Sequence, residues 1–111
     1  MVIAVHRLSS ALWHPSRSAL IDQVRRAGLS VQLNIAEGHA LGGNRQFARH
    51  LTIAYGSAIE LVDLLDLLRE LAPGSDDQIE PLAQRARQNC ALVLALKQSV
   101  FRKASAQGRD R

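Results

Sequence analysis

Four polar side chains, set at helical spacing among apolar residues, are the groups in this sequence whose chemistry needs an explanation. Asn34 and Glu37 lie three residues apart in VQLNIAEGHALGG, and Ser57 and Glu60 lie three residues apart in AYGSAIE. A polar group in an apolar core costs about 1–3 kcal/mol when it has no hydrogen-bond partner. Such groups therefore serve catalysis, a metal or another ligand, or they fix how helices pack.

The sequence gives little support for catalysis or metal binding. A two-metal site in a helical bundle takes Glu together with Glu-x-x-His sets, but Glu37 is followed at once by Gly38 and His39, and no histidine lies near Glu60. The four histidines are scattered without ligand spacing. We therefore expect no catalytic residue, no metal and no cofactor. An enzyme that uses Glu37 and Glu60 as paired carboxylates stays open as an alternative, and it requires both to share one cleft.

The elements that must position these groups are helices, because the chain shows helical periodicity between breakers and no alternating strand pattern. Aromatic residues make up only 4% of the 111 residues, so the core must be built from aliphatic side chains, which favours helices packed on helices. The predicted helices span about residues 2–13, 18–40 and 44–72, and a fourth starts within 75–80 and runs to about 104. Asn44 is the predicted N-cap of the third helix, and Ser75 or Asp76 that of the fourth. We expect one domain, a four-helix bundle over residues 1–104, followed by a flexible basic tail at 105–111.

The third predicted helix carries two apolar stripes. The first stripe enters a bundle core and comprises Phe47, Leu51, Ala54, Ala58, Leu61, Val62, Leu65 and Leu68. The second stripe lies well round the helix and comprises Ile53, Leu64, Leu67 and Leu71, with Gly56 and Glu60 near it. One bundle uses one stripe per helix, so the second stripe predicts self-association.

Charge is unevenly distributed along the chain, whose net charge is +4. Residues 51–80 hold seven acids against Arg69, whereas the segments before and after them are basic. A basic end attracts nucleic acid or an acidic partner, although each arginine can equally be a solvated surface group. The candidate nucleic-acid contacts are Arg25, Arg26, Arg45, Arg49, Arg85, Arg87, Lys97, Arg102 and Lys103. Asp22 can pair with Arg25 or Arg26 one turn away.

The single cysteine, Cys90, excludes an internal disulfide and fits a reducing cytoplasm. It lies in an apolar helical stripe without a nearby histidine, so we expect a buried structural thiol. The first residues lack the pattern of a signal peptide, and no apolar run is long enough to cross a membrane. We therefore expect a cytoplasmic protein that makes no membrane contact.

The segments DQVRRAGLSVQLNIAEG and FARHLTIAYGSAIEL together resemble one family. It is the four-helix bundle protein family, also called the 23S ribosomal RNA intervening-sequence protein family, and the resemblance covers roughly residues 20–100. It implies an up-down-up-down bundle, a homopentameric ring and no enzyme activity. Related bundle proteins are accessory factors of reverse transcriptases in diversity-generating retroelements, where a basic ring binds RNA or DNA and the enzyme.

The matching positions include the four polar residues, which we interpret as anchors between helices or between protomers: Asn34, Glu37, Ser57 and Glu60. They also include small residues that allow close packing: Ala36, Gly38 and Gly56. The expected function is a non-enzymatic oligomeric adaptor that binds nucleic acid or a nucleic-acid enzyme such as a reverse transcriptase. The alternative is a purely structural oligomer with a protein partner.

The sequence departs from the family in two places. The basic residues that usually follow NIAEG are replaced by His39, Ala40 and Leu41, which argues against RNA contact in that loop. The first helix is short, and a Phe-Pro turn is reduced to Trp13-His14-Pro15. A shortened bundle, an altered pore or a misassigned start codon would each account for the second departure.

Overall fold

The computed structural model describes the backbone of residues 1–109 and the side chains of residues 1–107. Within that range the chain forms four α-helices and no strand, which confirms the predicted all-α class. The helices are α1 (Val2–Ala11), α2 (Ser18–Ala40), α3 (Asn44–Leu71) and α4 (Asp76–Arg109), and a short 3₁₀ helix (Pro15–Arg17) precedes α2. They form a rod that measures 56 × 20 × 17 Å.

The turn between α1 and α2 is shaped by Pro15. A residue before proline is pushed out of the helical region, and His14 is accordingly extended, with φ −155° and ψ 146°. The first helix therefore ends at Ala11, two residues before the predicted end. Arg17 closes the turn, since its Nε donates a hydrogen bond to the Leu12 carbonyl over 2.6 Å.

The start of α3 differs from the prediction by one residue. Asn44 is the first helical residue and not the N-cap, a position that Gly43 occupies without a side-chain hydrogen bond. Gly43 has φ +78°, a conformation that glycine adopts at no steric cost. The backbone of this glycine thus turns the chain into the helix without the capping side chain that we predicted.

The fourth helix begins at Asp76, inside the segment 75–80 where the start was predicted, and continues through Pro81. The Ser75 hydroxyl does not cap it but donates to the Ala72 carbonyl, while the Ser75 carbonyl accepts from the Ile79 amide over 3.0 Å. The helix also extends past Ala104 to Arg109. Its predicted end was therefore too early, because the lone Gly108 only modestly weakens a helix that already has a long body. Residues 110 and 111 of the predicted tail lie outside the described residues.

The core divides into two clusters along the rod. The larger has fourteen buried residues drawn from all four helices, among them Leu8, Ile21, Leu65 and Ile79. The smaller has five, all from α3 and α4: Ala48, Leu51, Ala54, Val93 and Val100. Half-buried Ile35 of α2 packs on the smaller cluster, to which α1 contributes nothing. One end of the rod is thus built from four helices and the other from three.

The second stripe on α3 lies largely on the surface. Ile53, Leu67 and Leu71 are 51%, 52% and 56% exposed, whereas Leu64 is half-buried and packs against the larger cluster. Gly56 lies between them with no atom within 4 Å of the position that a Cβ would take. The structure therefore leaves on the surface three of the four side chains that we assigned to a contact with another copy.

Candidate nucleic-acid interface

Two of the four predicted anchors bond across the α2–α3 contact. The Asn34 side chain donates to the Ser30 carbonyl over 2.9 Å, and its Oδ1 lies 3.1 Å from Nδ1 of His50. The hydroxyl groups of Ser57 and Ser30 are 2.7 Å apart. Since the Asn34 oxygen accepts, Nδ1 of His50 carries the proton. These bonds hold α2 and α3 in one register, with Ser30 facing Ser57 and Asn34 facing His50.

The other two predicted anchors, Glu37 and Glu60, do not connect helices within the chain. Both are exposed, and neither makes an ion pair or a side-chain hydrogen bond to the described residues. Glu37 follows Ser30 by seven residues on α2, and Glu60 follows Ser57 by three residues on α3. The two helices run in opposite directions from the Ser30–Ser57 contact, so at 1.5 Å per residue the two carboxylates are about 15 Å apart along the axis. Within one chain they share no cleft for acid–base chemistry.

Close packing between helices occurs at Gly38 but not at the other two predicted positions. A Cβ at Gly38 would lie 2.7 Å from Cβ of His50 and 3.1 Å from the Phe47 ring. The α2 and α3 backbones approach closely here because residue 38 has no side chain. Ala36 and Gly56 are exposed, so any close packing at these two positions requires another chain.

The nine candidate nucleic-acid contacts separate into two groups. Four lie on the middle of α2 and the first half of α4: Arg25, Arg26, Arg85 and Arg87. The other five lie where the start of α3 meets the second half of α4, a region that we call the basic end: Arg45, Arg49, Lys97, Arg102 and Lys103. The predicted pairing of Asp22 with Arg25 or Arg26 does not form between the described side chains.

Within the first group, Arg87 is already occupied. Its guanidinium and that of Arg69 both donate to the Glu80 carboxylate, over 2.8 and 2.6 Å. These two arginines lower the pKa of Glu80. Arg25 is half-buried under α1, and its Nε is buried without a hydrogen-bond partner in the described structure. The arginines of the basic end have exposed guanidinium groups that a phosphate can reach, whereas Arg25 and Arg87 do not present theirs so freely.

The basic end carries charge that the described side chains do not neutralise. The segments 31–53 and 90–107 supply five Lys and Arg against one acid, Glu37. None of the five forms an ion pair with the described residues, whose ion pairs join Arg69 and Arg87 to acids near the opposite end. Arg45 also lies in the first turn of α3, where the helix dipole is positive and a cation is unfavourable. The potential here favours an anion.

A groove of about 950 Å³ runs along the basic end between α3 and α4. Arg45 and Arg49 line it together with two exposed apolar side chains, Ile53 and Phe101. The Lys97 ammonium lies 5.9 Å from the centroid of the Phe101 ring, within the range of a cation–π contact. The groove therefore combines fixed positive charge with an aromatic surface.

Three residues of this region were not identified from the sequence. Ser30 and His50 are the partners of the predicted anchors, and Phe101 lines the groove. Ser30 lies one helical turn before Asn34, a spacing that already signals a shared face. His50 and Phe101 carry no such local signal, because their roles depend on which helices meet.

Cys90 is a half-buried thiol on α4 and is less enclosed than we expected. Partial burial and the nearby Asp63 carboxylate raise its pKa. A thiol with a raised pKa is a poor nucleophile at neutral pH, which agrees with a structural role.

The described part of the chain holds neither a metal cluster nor a membrane-spanning helix. No group of three or more His, Cys, Asp or Glu side chains is placed to hold a metal ion. Each helix between residues 1 and 109 is too short or too polar to cross a lipid bilayer.

Comparison with known proteins gives one finding. The family model described as 23S rRNA-intervening sequence protein matches residues 1–95, which includes the short α1. No curated protein and no solved structure matches the chain. Because the match covers more than half of the sequence, and four helices with these signature positions accompany it, the chain belongs to the 23S rRNA-intervening sequence protein family.

Proposed function

We propose that this protein is a non-enzymatic oligomeric adaptor that binds nucleic acid through its basic end and serves an enzyme that acts on nucleic acid, such as a reverse transcriptase. The proposal includes an up-down-up-down order of the helices and assembly as a homopentameric ring. The observation that carries it is the separation of charge along the rod, with five cations at one end that no described side chain neutralises. The acids of α3 and the start of α4 lie toward the other end.

The charge separation supports binding to a polyanion more than binding to a small anion. Five cations spread over two helices form a surface, whereas a small anion needs one convergent site. Each cation that neutralises a phosphate releases a counterion, which gives a slope of about −0.7 to −0.9 in log K against log salt per contact. A ring would present several such surfaces at once and would raise the avidity for a long strand.

The second stripe supports self-association. Three large aliphatic side chains on one face of α3 are more than half exposed, and an open glycine between them leaves room for a neighbouring backbone. Such a face marks an interface when it is continuous. The same stripe also favours the second candidate function, a structural oligomer whose partner is a protein and whose charge plays no part.

Light scattering on a size-exclusion column, with absorbance at 260 and 280 nm, tests the assembly and the nucleic-acid content together. The chain has one Trp and one Tyr, so copurifying nucleic acid would dominate the absorbance. A mass near five protomers with excess absorbance at 260 nm is the expected result. A ring free of nucleic acid would favour the protein partner, and a monomer would refute the interpretation of the second stripe.

Salt-dependent binding then tests the role of the basic end. Replacing Arg102 and Lys103 by Gln should make the salt slope for a nucleic-acid strand shallower by about 1.4 to 1.8. The matched control replaces Arg26 and Arg85, which are also exposed but lie outside the basic end, and should change the slope less. Equal effects of both pairs would show that only net charge matters and would remove the basic end from the proposal.

A further inference from the structure

The groove at the basic end has two walls of different chemistry. Arg45 and Arg49 stand on α3, one helical turn apart, which places them about 6 Å apart along the axis. Phe101 on α4, which is 48% exposed, supplies the apolar surface. Ser105 adds a hydroxyl group to the lining, which contains no carboxylate among the described side chains.

The cationic wall is under electrostatic strain in the free protein. Like charges at positions i and i+4 of a helix repel each other, and the first turn of α3 adds the positive end of its dipole to Arg45. No acid offsets either guanidinium within the described residues. A ligand that carries regularly spaced negative charges would relieve this repulsion.

The apolar wall provides a surface on which a ring can stack. Phe101 keeps about half of its surface exposed, although Ala48 and Ile53 line the same groove. The Lys97 ammonium lies 5.9 Å from its ring and 5.7 Å from the Tyr55 ring, so the side chain links two aromatic groups at this end. Sites for single strands combine a positively charged track with aromatic side chains that stack on bases.

We infer that this groove binds single-stranded nucleic acid, with phosphates on Arg45 and Arg49 and a base stacked on Phe101. The inference rests on the proposed nucleic-acid function and narrows it to one strand form. A duplex keeps the faces of its bases inside and offers the groove only its backbone, so the apolar wall would stay unused. A single strand presents a phosphate and an open base face at every step and fits both walls.

Fluorescence anisotropy with a labelled oligothymidylate of about 12 nucleotides, and with a duplex of equal length, tests the inference. Phe101→Ala and Phe101→Leu should each weaken binding of the single strand by roughly 5- to 150-fold, the range for loss of one stacked base, and leave duplex binding unchanged. Phe101→Trp should retain the affinity. The matched control is Trp13→Ala, since Trp13 is 51% exposed between α1 and α2, and it should change nothing.

The outcomes separate the inference from the function on which it rests. In one outcome, Phe101→Leu and Phe101→Ala still bind the single strand tightly, and only the double variant Arg45→Gln with Arg49→Gln binds it less. This outcome would overturn the inference that a base stacks on Phe101 and would keep the proposal of nucleic-acid binding. Loss in Phe101→Ala with full retention in Phe101→Leu would show that an apolar contact, and not stacking on an aromatic ring, holds the strand, and would also overturn the inference. A wild-type protein that binds neither probe would refute the proposed function itself.

Discussion

Within a single protomer, alanine at Gly38 should destabilise the bundle, whereas alanine at Gly56 should stabilise it. Both glycines lie inside helices, so each substitution gains about 1 kcal/mol of helix propensity. They differ in their surroundings. A Cβ at Gly38 would meet Cβ of His50 at 2.7 Å, and a Cβ at Gly56 would meet nothing within 4 Å. The difference between the two variants therefore isolates the steric cost at the α2–α3 contact.

The size of that cost follows from the contact. The obstructing atom is a Cβ, which moves only with its backbone, so the two helices must separate by a few tenths of an ångström or more. Overpacking of this kind costs about 1–3 kcal/mol. After the gain in propensity, Gly38→Ala should lower the free energy of unfolding by up to about 2 kcal/mol, and Gly56→Ala should raise it by up to about 1 kcal/mol. At about 4 °C per kcal/mol, the melting temperatures of the two variants should differ by roughly 4 to 12 °C.

Gly28 supplies the intermediate case for the same assay. A Cβ there would lie 3.0 Å from one methyl group of Val5, and a valine side chain in α1 yields more readily than a backbone. In thermal unfolding followed by circular dichroism, the melting temperature should therefore be lowest for Gly38→Ala, intermediate for Gly28→Ala and highest for Gly56→Ala. Equal stabilisation at Gly38 and Gly56 would refute the close approach of α2 and α3. Destabilisation at Gly56 would show that another chain packs on that position, which is the contact proposed above for the oligomer.

Four further outcomes are expected. Asn34→Ala should cost about 0.5–1.5 kcal/mol in chemical unfolding, because it removes the cross-helix hydrogen bond to an imidazole. Glu37→Gln and Glu60→Gln should each change that free energy by less than about 0.5 kcal/mol, since both side chains are exposed and unpaired among the described residues; a change in oligomer mass would instead place them between protomers. The Glu80 ion pairs lower the pKa of this carboxyl, so they stabilise the fold fully above the usual glutamate pKa of about 4.3. The stabilisation is lost as the pH falls through the lower pKa of the folded state. Glu80→Gln should abolish this part of the pH dependence of the unfolding free energy. Alkylation of Cys90 should be slow at pH 7 and should still accelerate above pH 9, because its pKa is raised; an alkylation rate that levels off below pH 8 would contradict this.

The helices were largely predictable because breakers and periodicity are local properties of a sequence. The α2 bounds agree with the prediction at both ends. Errors occurred where a boundary depends on backbone conformation, as at Gly43, whose positive φ begins α3 without a side-chain cap. The end of α4 lies beyond the predicted residue 104 because a single glycine costs a long helix too little to end it.

The polar site was predictable only in part, because sequence spacing shows which residues share a face but not how helices are rotated. Asn34 and Ser57 face a neighbouring helix, whereas Glu37 and Glu60, each three residues later, face solvent. Three residues turn the helix by 300°, so two side chains at that spacing point about 60° apart. At the edge of an interface this angle is enough to move the second side chain into solvent. The groove was beyond reach for another reason, since it joins residues 45 and 101, whose proximity follows from the packing of α3 on α4.

The division of the core into a four-helix end and a three-helix end gives the rod two different local opening free energies. Fourteen buried residues hold one end and five hold the other, so the segment around Ala48 and Val100 loses fewer apolar contacts when it opens. The basic end lies on that less stable segment. Its groove can therefore change width through small fluctuations of α3 against α4, while the larger cluster keeps the opposite end of the rod closed.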